Sequence, residues 1–167
     1  MTEASTAILG IPVPSTDPVF LGFVGIHVAF GLCAVATGLV AMFSPKGRGR
    51  HMRFAIIYFW SLFGVFATMS LLSFMRWSED YPLFILGSLA FASAFLGRFA
   101  IRRRLPRWHL AGMAASYILM LTAFYVDNGR SLPLWRELPQ IAVWFVPAVV
   151  GLPVTAYYLF RLPKFKL

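Results

Sequence analysis

The sequence predicts an all-α fold, an integral membrane bundle of five transmembrane helices with the N-terminus outside and the C-terminus in the cytoplasm. Three observations predict it. The 167 residues are 59% hydrophobic and only 13% charged, whereas a soluble domain carries about 25% charged residues. Five apolar runs of roughly 19 to 25 residues recur along the chain, each long enough to cross a hydrocarbon core about 30 Å thick. Charge is also sorted by loop. Lys46, Arg48, Arg50, Arg53, Arg98, Arg102, Arg103, Arg104, Arg107, Arg161, Lys164 and Lys166 fall on one side with no acid among them. All six acids fall on the other, with Arg76, Arg130 and Arg136. Basic loops stay cytoplasmic, and an odd number of spans puts the two termini on opposite faces.

Residues 1–18 form an N-terminal arm, read as extended or flexible, with Pro12, Pro14 and Pro18 and the acids Glu3 and Asp17. It has no basic n-region and does not resemble a signal peptide. Pro18 suits the first turn of a helix. A single transmembrane domain is expected over residues 19–161, with apolar runs at about Val19–Phe43, Phe54–Met75, Pro82–Ile101, Trp108–Val126 and Ile141–Phe160, followed by a basic cytoplasmic tail at 162–167. The short connections make sequential helices antiparallel neighbours. Pro147, Gly151 and Pro153 predict a kink or local unwinding in the fifth helix. Trp77, Tyr81 and Trp135 suit the outer interface and Trp108 the inner one. Arg98 and Arg161 lie within a turn of helix ends and can snorkel.

The net charge of +9 would suggest nucleic acid in a soluble protein. Here its confinement to one side points to anionic lipid headgroups instead, and no nucleic-acid role is read from it. The single cysteine, Cys33, lies inside the first run. That excludes an intrachain disulfide and a Cys-based zinc site, and a packing role is expected for it.

The residues that could carry chemistry are three histidines and their surroundings. His27 should lie about 12 Å below the outer surface at 1.5 Å per residue, a depth at which an ionisable side chain faces the bundle or a cavity. Gly31, Ala34 and Gly38 continue its face and would let a helix or a flat cofactor approach closely. His51 and His109 open the second and fourth helices at nearly the same depth, the placement an axial pair for haem b would need. Arg50, Arg53 and Arg107 would then stand near the propionates. Tyr58 shares the face of His51, with Ser61, Gly64 and Thr68 on an adjacent strip. Gly112 and Ser116 follow His109, and Gly87, Ala90, Ala94 and Gly97 line the third helix. Each feature has a plainer reading. His27 would be hydrogen-bonded across a helix seam, His51 and His109 would sit among headgroups, and the small residues would be packing surfaces. A metal site using all three histidines is disfavoured, because His27 lies nearer the opposite surface.

No phosphate-binding Gly-rich loop, Ser-His-Asp order, Cys cluster or His-Glu-x-x-His helix occurs, so no enzyme class is indicated. No acid lies within a span, which weakens an ion-coupled transporter. The favoured reading is a non-catalytic accessory bundle that binds lipid or a membrane protein partner. The alternative is an electron-transfer protein holding haem b or a metal between His51 and His109. A small transporter rests only on the proline-broken fifth helix.

One run of residues resembles a known family. His27 with Gly31, the basic turn Lys46 to Arg50, then His51, Arg53 and Tyr58 are similar to the pattern of a bacterial family of small multi-pass membrane proteins, domain of unknown function 2306. Arg102 to His109 is similar to that family's later basic turn, and the resemblance covers residues 20–126. Met52 stands where a second basic residue is frequent and Ala55 where glycine is. The order Arg107-Trp108-His109 also differs from the family's. The resemblance implies a shared bundle and histidine-bearing core in a bacterial inner membrane, and supplies no activity.

Overall fold

The computed structural model describes residues 6–8, 11–13, 17–46, 49–132 and 137–162. Five long helices dominate: α1 (Pro18–Phe43), α2 (Arg50–Met75), α3 (Trp77–Arg102), α4 (Pro106–Asn128) and α5 (Gln140–Arg161). All five are long and apolar enough to cross a membrane. Before them, β1 (Thr6–Ile8) pairs antiparallel with β2 (Ile11–Val13), Ile8 facing Ile11, so part of the expected extended arm is a small hairpin. Trp135, Arg48, Lys164, Lys166 and the tail beyond Leu162 lie outside the described residues.

The chain divides into two compact units, Met1–Asp80 and Tyr81–Leu167. In the first, α1 and α2 form an antiparallel hairpin whose partners run in opposite directions: Ala41 with His51, Cys33 with Ser61, Phe30 with Gly64, and His27 with Thr68. The Phe30 ring occupies the space over Gly64, where a Cβ would lie 2.6 Å from it. In the second, α3, α4 and α5 are sequential antiparallel neighbours. Gly97 and Gly112 bring the backbones of α3 and α4 together, and Gly151 of α5 receives Ile118 of α4. Small residues at a helix crossing permit this approach, where dispersion and interhelical hydrogen bonds replace the hydrophobic drive available in water.

Helix ends follow local chemistry. Pro18 occupies the first turn of α1, where Asp17 accepts from the Val19 N–H at 2.8 Å, a side-chain cap. The helices also reach further than the apolar runs. α2 starts at Arg50 and takes in His51 and Arg53, and α3 starts at Trp77 with Pro82 inside it. Only Arg76 separates α2 from α3, and its carbonyl accepts from the Glu79 and Asp80 N–H groups while its side chain pairs with Glu79. A loop expected at residues 76–81 is thus a one-residue junction.

The expected unwinding of the fifth helix is not observed, since α5 is continuous through Pro147 and Pro153. Each proline removes a single helical hydrogen bond, and helices in membranes tolerate that when the freed groups are satisfied within the protein.

The α3–α4 turn is a Schellman closure: the Leu105 N–H returns to Ala100 O at 2.9 Å and the Arg104 N–H to Ile101 O at 3.0 Å. The geometry requires a left-handed residue at Arg104, whose φ is 59°, in a position that normally favours glycine. A non-glycine residue pays about 1–2 kcal/mol there. Arg104→Gly is expected to raise stability by about 1 kcal/mol once the backbone entropy of glycine is offset, read as a higher unfolding midpoint in detergent.

The glycines supply a second test. A Cβ on Gly112 would lie 2.7 Å from Ser93 O and 2.8 Å from Gly97 Cα, both backbone, whereas one on Gly31 meets nothing within 4 Å. Gly112→Ala is expected to cost about 1–3 kcal/mol, as overpacking does, and Gly31→Ala to leave the midpoint unchanged or raised. Thermal unfolding of the two variants side by side checks the contrast.

Candidate functional site

Each of the three histidines is bonded to the neighbouring helix of its own unit. His27, in the third turn of α1, places Nδ1 2.9 Å from Thr68 Oγ1 on α2. That hydroxyl donates to Gly64 O at 2.7 Å, so it accepts from His27, which carries its proton on Nδ1. His51 donates from Nδ1 to Ala41 O at 2.8 Å, and His109 donates from Nδ1 to Gly97 O at 2.9 Å. A carbonyl only accepts, so these two rings are also protonated on Nδ1.

The two carbonyls differ in kind. Ala41 lies in the last turn of α1, where carbonyls lack helical partners. Ser44 Oγ takes Val40 O at 2.5 Å, Lys46 Nζ takes Met42 O at 2.8 Å, and His51 takes Ala41 O. Together they close the end of α1 with side chains from the turn and from α2. Burial lowers the pKa of the Lys46 ammonium from its ordinary value. Gly97 lies more than a turn inside α3. Its carbonyl is reachable because neither Gly97 nor Gly112 has a side chain to hold the helices apart.

Tyr58 is buried on α2. Arg53 is exposed. Arg50 is exposed and stands over the Phe54 ring, 5.9 Å from its centroid. Arg107 is committed: Nη2 donates to Leu159 O at 3.3 Å and Leu162 O at 3.2 Å, closing the end of α5 from the start of α4. Its Nε is buried without a hydrogen-bond partner. The propionate role expected for Arg107 therefore competes with a role in holding α5.

His27 and His51 belong to the first unit and His109 to the second. Within the first, His27 and His51 contact opposite ends of the α1–α2 hairpin. Among the described residues no three His, Cys, Asp or Glu side chains converge as a metal cluster. Of the face expected from spacing, His27 bonds across the α1–α2 seam and Ala34 and Gly38 are buried, whereas a Cβ on Gly31 would meet nothing within 4 Å. Cys33 is exposed and accepts from Ser61 Oγ at 3.2 Å.

Thr68, Ser44 and Lys46 complete the polar contacts that the histidines begin. Thr68 stood on the polar strip of the second helix, but its pairing with His27 depends on hairpin register, which local spacing does not reveal. No protein-family model matches the chain, and neither curated proteins nor solved structures give a match.

The His27–Thr68 bond is testable by a double-mutant cycle. A bond between membrane helices averages about 0.6 kcal/mol and reaches about 1.7. His27→Ala and Thr68→Val should each lower stability, and the double variant should lose less than their sum by an amount in that range. Additive losses would show that the two side chains do not interact.

Proposed function

We propose that this chain is a multi-pass protein of a bacterial cytoplasmic membrane, with its N-terminus outside and its C-terminus inside. It acts as a non-catalytic accessory element that binds lipid or a membrane protein partner. One observation carries the reading: the distribution of polarity is inverted relative to a water-soluble protein. Large apolar side chains are exposed along every helix, among them Leu32, Phe74, Phe95, Trp108 and Phe160. Thr37, Ser61, Thr68, Ser73, Ser116 and Thr122 are buried. Each of these buried hydroxyls donates to a backbone carbonyl or, for Ser61, to Cys33 Sγ, which is what an apolar solvent demands. The segregation of basic loops supports the orientation. Membership of the domain of unknown function 2306 family is part of the proposal, resting on the motif around His27 to Tyr58.

The haem b alternative asks His51 and His109 for iron ligation. Their Nδ1–H bonds leave Nε2 as the ring nitrogen with the lone pair, as in many metal-binding histidines. The same bonds account for both residues as helix clasps, and Arg107 is engaged at α5.

Two measurements test the proposal. In a Cys33→Ser background, a cysteine at Thr16 should react with an impermeant maleimide on intact cells, and one at Leu162 only after permeabilisation. The reverse pattern overturns the orientation. A reduced-minus-oxidised spectrum of protein made with haem in supply should lack a b-type band. A band lost in His51→Ala or His109→Ala would establish the electron-transfer reading instead.

A further inference from the structure

The end of α1 carries a cavity of about 440 Å³ lined by Leu39, Val40, Phe43, Ser44, Pro45 and Arg50. It is an open groove rather than an enclosed pocket. Its chemistry is split along its length. Leu39, Val40 and Phe43 make an apolar wall on α1, while the only charged lining group is Arg50, at the start of α2. Ser44 offers no free hydroxyl proton, because its Oγ donates to Val40 O. The neighbouring Lys46 is occupied by the carbonyls of Met42 and Ala41. Arg50 has no carboxylate partner among the described residues and leans on Phe54 alone. No acid occurs anywhere from Pro18 to Ser78.

We propose that this cavity is a binding site for one anionic phospholipid of the cytoplasmic leaflet. The phosphodiester accepts from the Arg50 guanidinium, and an acyl chain lies along Leu39, Val40 and Phe43. The inference rests on the membrane-spanning reading and deepens it by naming the lipid class and the place. Three features select this occupant. A planar guanidinium matches two phosphate oxygens at once. The wall beside it is apolar, so a headgroup without a chain would leave it uncovered. The cation stands at the helix end that borders the basic turn, level with headgroups. A zwitterionic lipid carries a compensating cation toward Lys46, Arg53 and the turn, which disfavours it.

The test uses the full chain purified in dodecyl maltoside and titrated with dioleoylphosphatidylglycerol or dioleoylphosphatidylcholine, with bound lipid counted by native mass spectrometry. The wild type is expected to prefer phosphatidylglycerol by about tenfold, the scale of one charge-assisted hydrogen bond. Arg50→Gln, an exposed substitution, should abolish that preference, and Val40→Trp should remove the bound lipid by filling the cavity. Arg102→Gln makes the same charge change at the other basic turn and should keep the preference. Equal losses in Arg50→Gln and Arg102→Gln would overturn the site in favour of diffuse attraction. Displacement of the lipid by millimolar glycerol 3-phosphate would also overturn it, in favour of a soluble-phosphate site. A wild-type chain that alkaline carbonate extracts from membranes overturns the spanning reading and the site with it. One that resists extraction yet binds both lipids alike overturns the site alone.

Discussion

The structure depends on one constraint: in an apolar surrounding every polar group must find its partner inside the protein. Within the helices the backbone solves this itself, and Ser and Thr side chains return to carbonyls three or four residues back. The difficulty concentrates at helix ends and at the few polar side chains deep in the spans. The end of α1 shows how it is met. Three carbonyls in its last turn receive a hydroxyl, an ammonium and an imidazole from Ser44, Lys46 and His51. The basic turn is therefore more than an orientation signal, because part of it is the cap of the preceding helix.

The histidines extend the same logic. A half-buried imidazole at a helix seam can give a ring N–H to an acceptor on the adjacent helix, and each of the three does so through Nδ1. What differs is the origin of the acceptor. His51 uses a carbonyl in the last turn of α1, where the long contacts from the Ser44 N–H and Lys46 leave room for it. His27 uses a hydroxyl whose own proton is already spent on Gly64. His109 reaches a carbonyl inside a helix, which only the paired glycines at 97 and 112 make approachable. That last case couples two features that look independent in the sequence: the histidine bond exists because the glycines bring α3 and α4 close, and it helps keep them close.

Much of this was legible before any coordinates. Five long apolar helices and the Pro18 helix start follow from hydropathy and local chemistry, both of which act over short stretches. The readings that failed were those needing register between helices. His27, Gly31, Ala34 and Gly38 share a face by spacing; His27 bonds across the seam and Ala34 and Gly38 are buried, but Phe30 rather than Gly31 fills the space over Gly64. A helix offers several plausible faces, and only the partner decides among them. The α3–α4 turn was hidden for a different reason: its left-handed residue is Arg104, without the glycine or asparagine that announces such a closure. The loop expected at 76–81 disappeared because Ser78, Glu79 and Asp80 suit the first turn of a helix as well as they suit a loop.

Arg50, Lys46 and Arg107 show why a basic residue near a membrane surface cannot be assigned by position alone. Lys46 and Arg107 look like interchangeable members of a positive patch. Instead the first closes α1 and the second closes α5, each using its charge to satisfy carbonyls at the negative end of a helix dipole. Among the described residues, Arg50 has neither a carbonyl nor a carboxylate to hold. It stands beside an apolar wall with its guanidinium turned over Phe54. Cations that terminate helices have their electrostatic demand met by the fold, whereas the Arg50 guanidinium keeps a demand that the proposed lipid phosphate would meet. The division of labour among the basic residues, rather than their number, is what supports the proposed lipid site at the end of α1.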